Sequence, residues 1–171
     1  MMNLLIDAAR LMIFPTVMAF AASSDFFTMT ISNRISLILV AGFVALAVGT
    51  GMPYADMLNH AGAGGLVLAV TFTFFLCGWI GGGDAKLAAA TALWLGFDHL
   101  LAYLIYASLF GGLLTFLLLQ VRALPLPRFL SGQAWAERLH RKDCGVPYGI
   151  ALAAAALAVY PDTIWMKAIA G

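Results

Sequence analysis

The chain has 171 residues, of which 63% are hydrophobic and only 10% are charged, with a formal net charge of +1. Soluble domains average about 45–50% apolar and about 25% charged residues, and a fold this small has too much surface to bury so many apolar side chains. A soluble domain is therefore excluded, and the charge gives no reason to expect nucleic acid as a partner. In lipid, backbone hydrogen bonds must be made within helices or a closed barrel, and long apolar runs without strict alternation favour helices.

Six apolar runs predict an all-α integral membrane protein with about six transmembrane helices, because a spanning helix needs roughly 20 residues. The fourth and fifth runs form a helical hairpin in this interpretation, since Gly96, Asp98 and His99 offer a turn between them. The runs are 4–24, 35–51, 61–80, 85–97, 100–121 and 147–169. We expect a single domain over residues 1–171, with cytoplasmic loops near 25–34, 81–86 and 122–146.

Basic residues predict the orientation, because lysine and arginine are enriched in cytoplasmic loops. If both termini are outside, the inner loops carry Arg34, Lys86, Arg122, Arg128, Arg138, Arg141 and Lys142, against Arg10 and Lys167 outside. Alternating crossings then place two acids at the same inner face: Asp25, after the first span, and Asp84, before the fourth. The other acids near span ends, Asp7, Asp56, Asp98 and Asp162, fall on the opposite face.

Asp84 follows three consecutive glycines, which are poor helix formers and allow close approach of another backbone. Taken alone, Asp84 could be a plain helix N-cap, and Asp25 could be an ordinary interfacial acid. Taken together, two carboxylates sharing one site cannot easily both ionise, so one keeps a proton while the other stays charged. Such a pair can take a proton from water and donate one to a peptide carbonyl. This chemistry is peptide hydrolysis, and it requires no metal and no cofactor.

The residues around both acids resemble known protease motifs. Gly81-Gly82-Gly83-Asp84 fits the Gly-x-Gly-Asp signature of intramembrane aspartic proteases. More closely, three segments resemble motifs of type IV prepilin peptidases in the same order along the chain. They are Asp25 followed by Thr30-Ile31-Ser32-Asn33, then Asp84-Ala85-Lys86-Leu87, then Pro147-Tyr148-Gly149. One departure is Ser32, which stands where that family has proline.

The resemblance implies a catalytic dyad of Asp25 and Asp84, with Gly81 and Gly83 shaping the site. Lys86 and Asn33 are further candidates for shaping it, although Lys86 could simply extend to the membrane surface and Asn33 could cap the second span. The implied substrate is a type IV prepilin, with a basic leader that is cut next to a hydrophobic helix at the cytoplasmic face of the bacterial inner membrane.

The chain resembles one branch of this family more than the family as a whole. The first inner loop has about ten residues, too few for the cysteine-containing region that larger members carry, so no methyltransferase activity is predicted. The chain is similar to the small, peptidase-only branch associated with Flp/Tad pili. Membrane lipid is the other expected partner, and the oligomeric state is left open.

Three alternatives stay open on the sequence. A presenilin-like protease shares the Gly-x-Gly-Asp segment but pairs it with an aspartate deep inside a span. A small transporter or a pilus-assembly subunit without catalysis could also use paired membrane acids. The inner loop 122–145, finally, could form an amphipathic helix on anionic lipid or contact the leader of the substrate.

Overall fold

All regular structure in the described part of the chain is helical, which confirms the predicted all-α class. The computed structural model describes residues 2–127 and 129–170, with residues 2, 3 and 170 described by their backbone only. Arg128, which was predicted in an inner loop, lies outside the described residues. The helices are α1 (Met2–Thr28), α2 (Asn33–Gly49), α3 (Tyr54–Leu76), α4 (Gly82–Ala123), α5 (Ala134–His140), α6 (Tyr148–Val159), a 3₁₀ turn (Tyr160–Asp162) and α7 (Ile164–Ala170).

Three of these helices, α1, α3 and α4, are long and apolar enough to cross a membrane. The apolar helices α2 and α6 are shorter, with 17 and 12 residues, so the six crossings and the outside placement of both termini remain predictions. The single run predicted over 147–169 is interrupted in the structure, because α6 ends at Val159 and a 3₁₀ turn precedes α7. Pro161 lies in that turn, where its missing N–H prevents a continuous helix.

The helix α4 is folded back on itself at Gly96, where φ is 66° and ψ is 179°. A straight helix would separate Asp84 from Tyr103 by roughly 28 Å at 1.5 Å per residue, yet both residues line one cavity. Residues 82–95 and 97–123 are therefore two arms, as the predicted hairpin requires. The turn is held by the backbone N–H of Phe97, which donates to Oδ1 of Asn59 over 2.8 Å.

The core is centred on Trp94, whose side chain is fully buried in the first arm of α4. Its Nε1 donates to the carbonyl of Leu39 over 2.8 Å, and its own carbonyl accepts from Nε1 of Trp165 over 2.9 Å. The ring of Phe14 lies 5.1 Å from that of Trp94, within the range of favourable aromatic pairs. In lipid, such packing and buried hydrogen bonds hold helices together, because water exclusion no longer drives their association.

The helix α1 is longer than predicted and includes Asp25 in its last turn, whereas the sequence prediction placed Asp25 after the helix. Helical conformation persists to Thr28, and Phe26 packs on Trp135 of α5 with ring centroids 5.3 Å apart. This packing explains the extension, since an apolar partner covers the final turn. Only residues 29–32 then connect α1 to α2, and Met29 turns the chain with a left-handed φ of 55°.

Candidate active site

The carboxylate of Asp25 is buried against the start of α6. The residue is only 4% exposed, and its Oδ2 accepts the backbone N–H of Gly149 over 2.7 Å. Gly149 is the second residue of α6, which begins after Pro147, so this N–H is one of those that a helix start leaves without a helical partner. A helix N-terminus also favours negative charge, and Asp25 is therefore fixed in position by a donor from a distant helix.

Glycine at position 149 is required by this close approach. A Cβ there would lie 2.9 Å from Oδ2 of Asp25 and 2.6 Å from Cδ1 of Ile31, closer than ordinary contacts. Ile31 belongs to the connection between α1 and α2, so that connection also borders the start of α6. Three segments of the chain thus meet around one carboxylate.

The start of α4 packs on the same connection through Gly83. A Cβ at Gly83 would lie 3.0 Å from Cβ of Ile31 and 3.2 Å from its carbonyl oxygen. A larger side chain would push the two segments apart, so Gly83 is a position where close backbone approach requires glycine. This contact brings the turn that carries Asp84 beside the end of α1.

Asp84 is the third residue of α4 and not its N-cap, which is Gly81. The plain N-cap interpretation therefore does not describe this residue. Its Oδ2 lies 3.0 Å from the position that a Cβ on Gly81 would occupy, so the carboxylate folds back over the first turn. Acids at the third helical position commonly do this in a capping box, and here the fold-back leaves Asp84 half-buried.

One polar cavity of about 260 Å³ is lined by both aspartates. Its other walls are residues 29–31 and the three glycines 81–83. The structure thus brings together four of the six residues that the sequence selected, namely Asp25, Asp84, Gly81 and Gly83. Within the described ranges, no group of three or more His, Cys, Asp or Glu side chains is arranged to hold a metal ion.

Lys86 and Asn33 contact each other but lie apart from this cavity. Nζ of Lys86 donates to Oδ1 of Asn33 over 2.8 Å, and both line a separate cavity of about 510 Å³ that neither aspartate borders. Positions 84 and 86 are about 200° apart around a helix, which explains the separation. Asn33 is also not the cap of α2, because Ser32 is the N-cap and its Oγ accepts from the N–H of Arg34 over 3.3 Å.

Two residues that contribute to this region were not selected from the sequence. Gly149 was noted only as part of a motif that begins a late span, and Arg122 was counted only as a basic loop residue. The guanidinium of Arg122 is buried. Its Nε donates to the carbonyl of Leu139 over 2.7 Å, and its Nη2 donates to that of Gly145 over 2.8 Å. Arg122 therefore ties the end of α4 to α5 and to the segment that leads into Gly149.

The inner loop 122–145 contains one short helix, α5, which packs on the end of α1. Nη1 of Arg138 donates to the carbonyl of Phe27 over 2.7 Å, and the Trp135 ring contacts the phenyl rings of Phe26 and Phe27. The helix thus satisfies an end carbonyl of α1, which has no helical partner, two residues beyond Asp25. Ala136 of α5 is also buried. At least part of this loop is therefore packed on the protein.

Comparison with known proteins identifies the family. The sequence pattern of the type IV leader peptidase family matches residues 12–116, which is more than half of the chain and includes both aspartates. No curated protein and no solved structure gives a significant match. The matched region includes all of α3 and most of α1 and α4, the three helices that are long and apolar enough to cross a membrane. The chain therefore belongs to the type IV leader peptidase family, and it is a membrane peptidase whose substrates are prepilins.

Proposed function

We propose that Asp25 and Asp84 form the catalytic dyad of an intramembrane aspartic endopeptidase that removes the leader peptide from type IV prepilins. The observation that carries the proposal is the shared polar cavity, since both carboxylates line it. The volume of about 260 Å³ leaves ample room for water, which occupies about 30 Å³ per molecule in the liquid. The cavity therefore has space for a reacting water beside both acids.

The dyad works by dividing two proton transfers between its members. The ionised carboxylate takes a proton from water, and the protonated one donates to the carbonyl of the peptide bond that is cut. Two acids at one site titrate as a pair, so neither role is assigned to one residue. The Gly149 N–H supports this chemistry, because a fixed donor at 2.7 Å holds the Asp25 carboxylate in one orientation.

We further propose that the enzyme belongs to the peptidase-only branch that processes Flp/Tad-type prepilins in the bacterial inner membrane. The connection between α1 and α2 spans only residues 29–32, which leaves no room there for a cytoplasmic domain. In the proposed orientation the chain crosses the membrane six times with both termini outside, so that the dyad opens to the cytoplasmic face. The basic leader of the substrate is then cut where it leaves the membrane.

The test is cleavage of a Flp-type prepilin in membranes containing the wild-type enzyme, Asp25→Asn or Asp84→Asn. We expect both variants to lose cleavage by at least about a thousandfold, as for removal of other essential catalytic groups. Asp98→Asn is the matched control, because Asp98 is an exposed acid beside the hairpin turn, and it should cleave normally. Normal cleavage by both dyad variants would contradict the aspartic mechanism and would favour a transporter or assembly role for the paired acids.

A further inference from the structure

A second and larger cavity is lined by Asp84 but not by Asp25. It has a volume of about 750 Å³, and among the described residues it shares only Gly81 and Asp84 with the polar cavity. Its walls come from the end of α3, residues 78–81, both arms of α4 and residues 145–152. We call this space the lateral groove. A volume of this size lies in the usual range of ligand sites, about 300–1,000 Å³.

The lateral groove is apolar and open at its rim. Val67, Ala88 and Leu152 form its buried wall, while Trp79 and Leu104 lie at the rim and are 72% and 44% exposed. Exposed aromatic and aliphatic side chains are stable in lipid, so an apolar segment can enter from the membrane without crossing a polar barrier. The occupant must therefore be hydrophobic along the groove and must reach Asp84 at one end.

The groove ends at Asp84, which also lines the polar cavity. An occupant of the groove is therefore continuous with whatever enters the polar cavity. A prepilin meets this requirement, because its hydrophobic helix directly follows the leader, whereas a lipid chain has no peptide bond to present.

We propose that the lateral groove binds the first turns of the hydrophobic helix of the prepilin and so presents the preceding peptide bond to Asp84. This inference rests on the proposed function. The cavity lined by Lys86 and Asn33 is also apolar, but neither aspartate lines it, so we do not assign the substrate helix to that cavity. The leader then extends past Asp84 into the polar cavity, while the mature hydrophobic segment stays among the walls of α3, α4 and α6.

Site-specific photo-crosslinking tests the position of the substrate helix. A photoreactive amino acid replaces Leu104 at the groove, Leu37 at the other apolar cavity, or Leu113, an exposed leucine that lines neither. Each replacement is made in an Asp84→Asn background, which keeps a Flp-type prepilin uncut. We expect crosslinks to the hydrophobic segment of the prepilin from position 104, at several times the yield from the other two. Equal or greater yield from position 37 or 113 overturns the proposal.

A steric variant gives an independent readout in the active enzyme. Gly145 lines the groove, and a Cβ there meets nothing within 4 Å, so a leucine side chain can begin at this position and narrow the groove. Gly112→Leu is the matched control, because Gly112 also has open space but lies outside the groove. We expect Gly145→Leu to raise KM by roughly tenfold or more with a smaller effect on kcat. The reason is that a change of a single methylene in an apolar pocket already alters substrate binding by about tenfold or more.

The outcomes separate this inference from the proposed function. In one outcome, cleavage of the prepilin needs both aspartates but Gly145→Leu behaves like Gly112→Leu. The inference about the groove is then wrong, and the proposed dyad is supported. If Asp25→Asn and Asp84→Asn cleave normally, the proposed function fails, whatever the crosslinking yields. A raised KM for Gly145→Leu together with crosslinks from position 104 supports both.

Discussion

Replacing Gly149 by alanine tests whether the helix-start N–H holds Asp25 in its working position. The added Cβ would lie 2.9 Å from Oδ2 of Asp25 and 2.6 Å from Cδ1 of Ile31. The Ile31 methyl is the end of a flexible side chain and can move aside. The carboxylate can move only by lengthening the 2.7 Å hydrogen bond from Gly149. The substitution therefore acts mainly on the orientation of the Asp25 carboxylate, one of the two acids of the proposed dyad.

The expected size of the effect follows from that contact. Overpacking one methyl group costs about 1–3 kcal/mol, and weakening a hydrogen bond to a charged group costs about 1.5–3 kcal/mol. If about 2 kcal/mol is lost from the transition state, kcat/KM falls by about 30-fold, since each 1.36 kcal/mol is a factor of ten. We expect a fall of about 10- to 100-fold with unchanged expression and membrane insertion.

The assay is prepilin cleavage in membranes, measured as kcat/KM and normalised to the amount of inserted enzyme. Gly112→Ala and Gly65→Ala are matched controls, because a Cβ at either position meets nothing within 4 Å, and both should cleave within about twofold of the wild type. A Gly149→Ala enzyme that is as active as these controls would refute the positioning role of the Gly149 N–H.

Three further substitutions separate positioning, folding and surface contributions. Arg122→Met removes two part-buried hydrogen bonds to carbonyls of α5 and of the segment before α6. We expect it to destabilise the fold by about 2–4 kcal/mol, measured as a lower Tm in detergent. An unchanged Tm would contradict the role of Arg122 in joining these segments. Gly96→Ala places a Cβ 2.8 Å from Oδ1 of Asn59 at a φ of 66°. We expect the free energy of unfolding to fall by about 1–3 kcal/mol. A stability equal to that of the wild type would argue against the tight hairpin. Lys86→Met removes an exposed hydrogen bond to Asn33 worth about 0–1 kcal/mol. The cleavage rate should therefore fall by no more than about fivefold. A larger loss would indicate that Lys86 belongs to the proposed active site.

The helices and the two acids could be predicted from local features of the sequence. Apolar runs determine where helices form in lipid, and the glycine before Asp98 and His99 marked the fold-back point of α4. Alternating crossings, which remain a prediction, placed Asp25 and Asp84 on the same face and most of the other acids on the opposite face. The three glycines marked the close approach at the start of α4, because consecutive glycines have few other structural uses.

The remaining features depend on contacts between distant parts of the chain, which no local pattern reveals. Gly149 bonds to a carboxylate 124 residues away, and only the packing of α6 against α1 brings the two together. The last turn of α1 is stabilised by Trp135, so its length could not be read from the apolar run alone. Lys86 was assigned to the site because of its nearness to Asp84 in the sequence, but the rotation between successive helical positions turns it towards another cavity.

The bond between Asp25 and Gly149 has a consequence for biosynthesis. Both acids of the proposed dyad precede α6 in the sequence, so a ribosome that has just completed α4 has already made both of them. At that stage Asp25 still lacks the N–H donor that fixes it, and the growing chain is expected to have little proteolytic activity towards its neighbours in the membrane. A fragment that ends before residue 148 should stay inactive in the same way, and separately expressed α6 and α7 should restore its activity by supplying the missing donor.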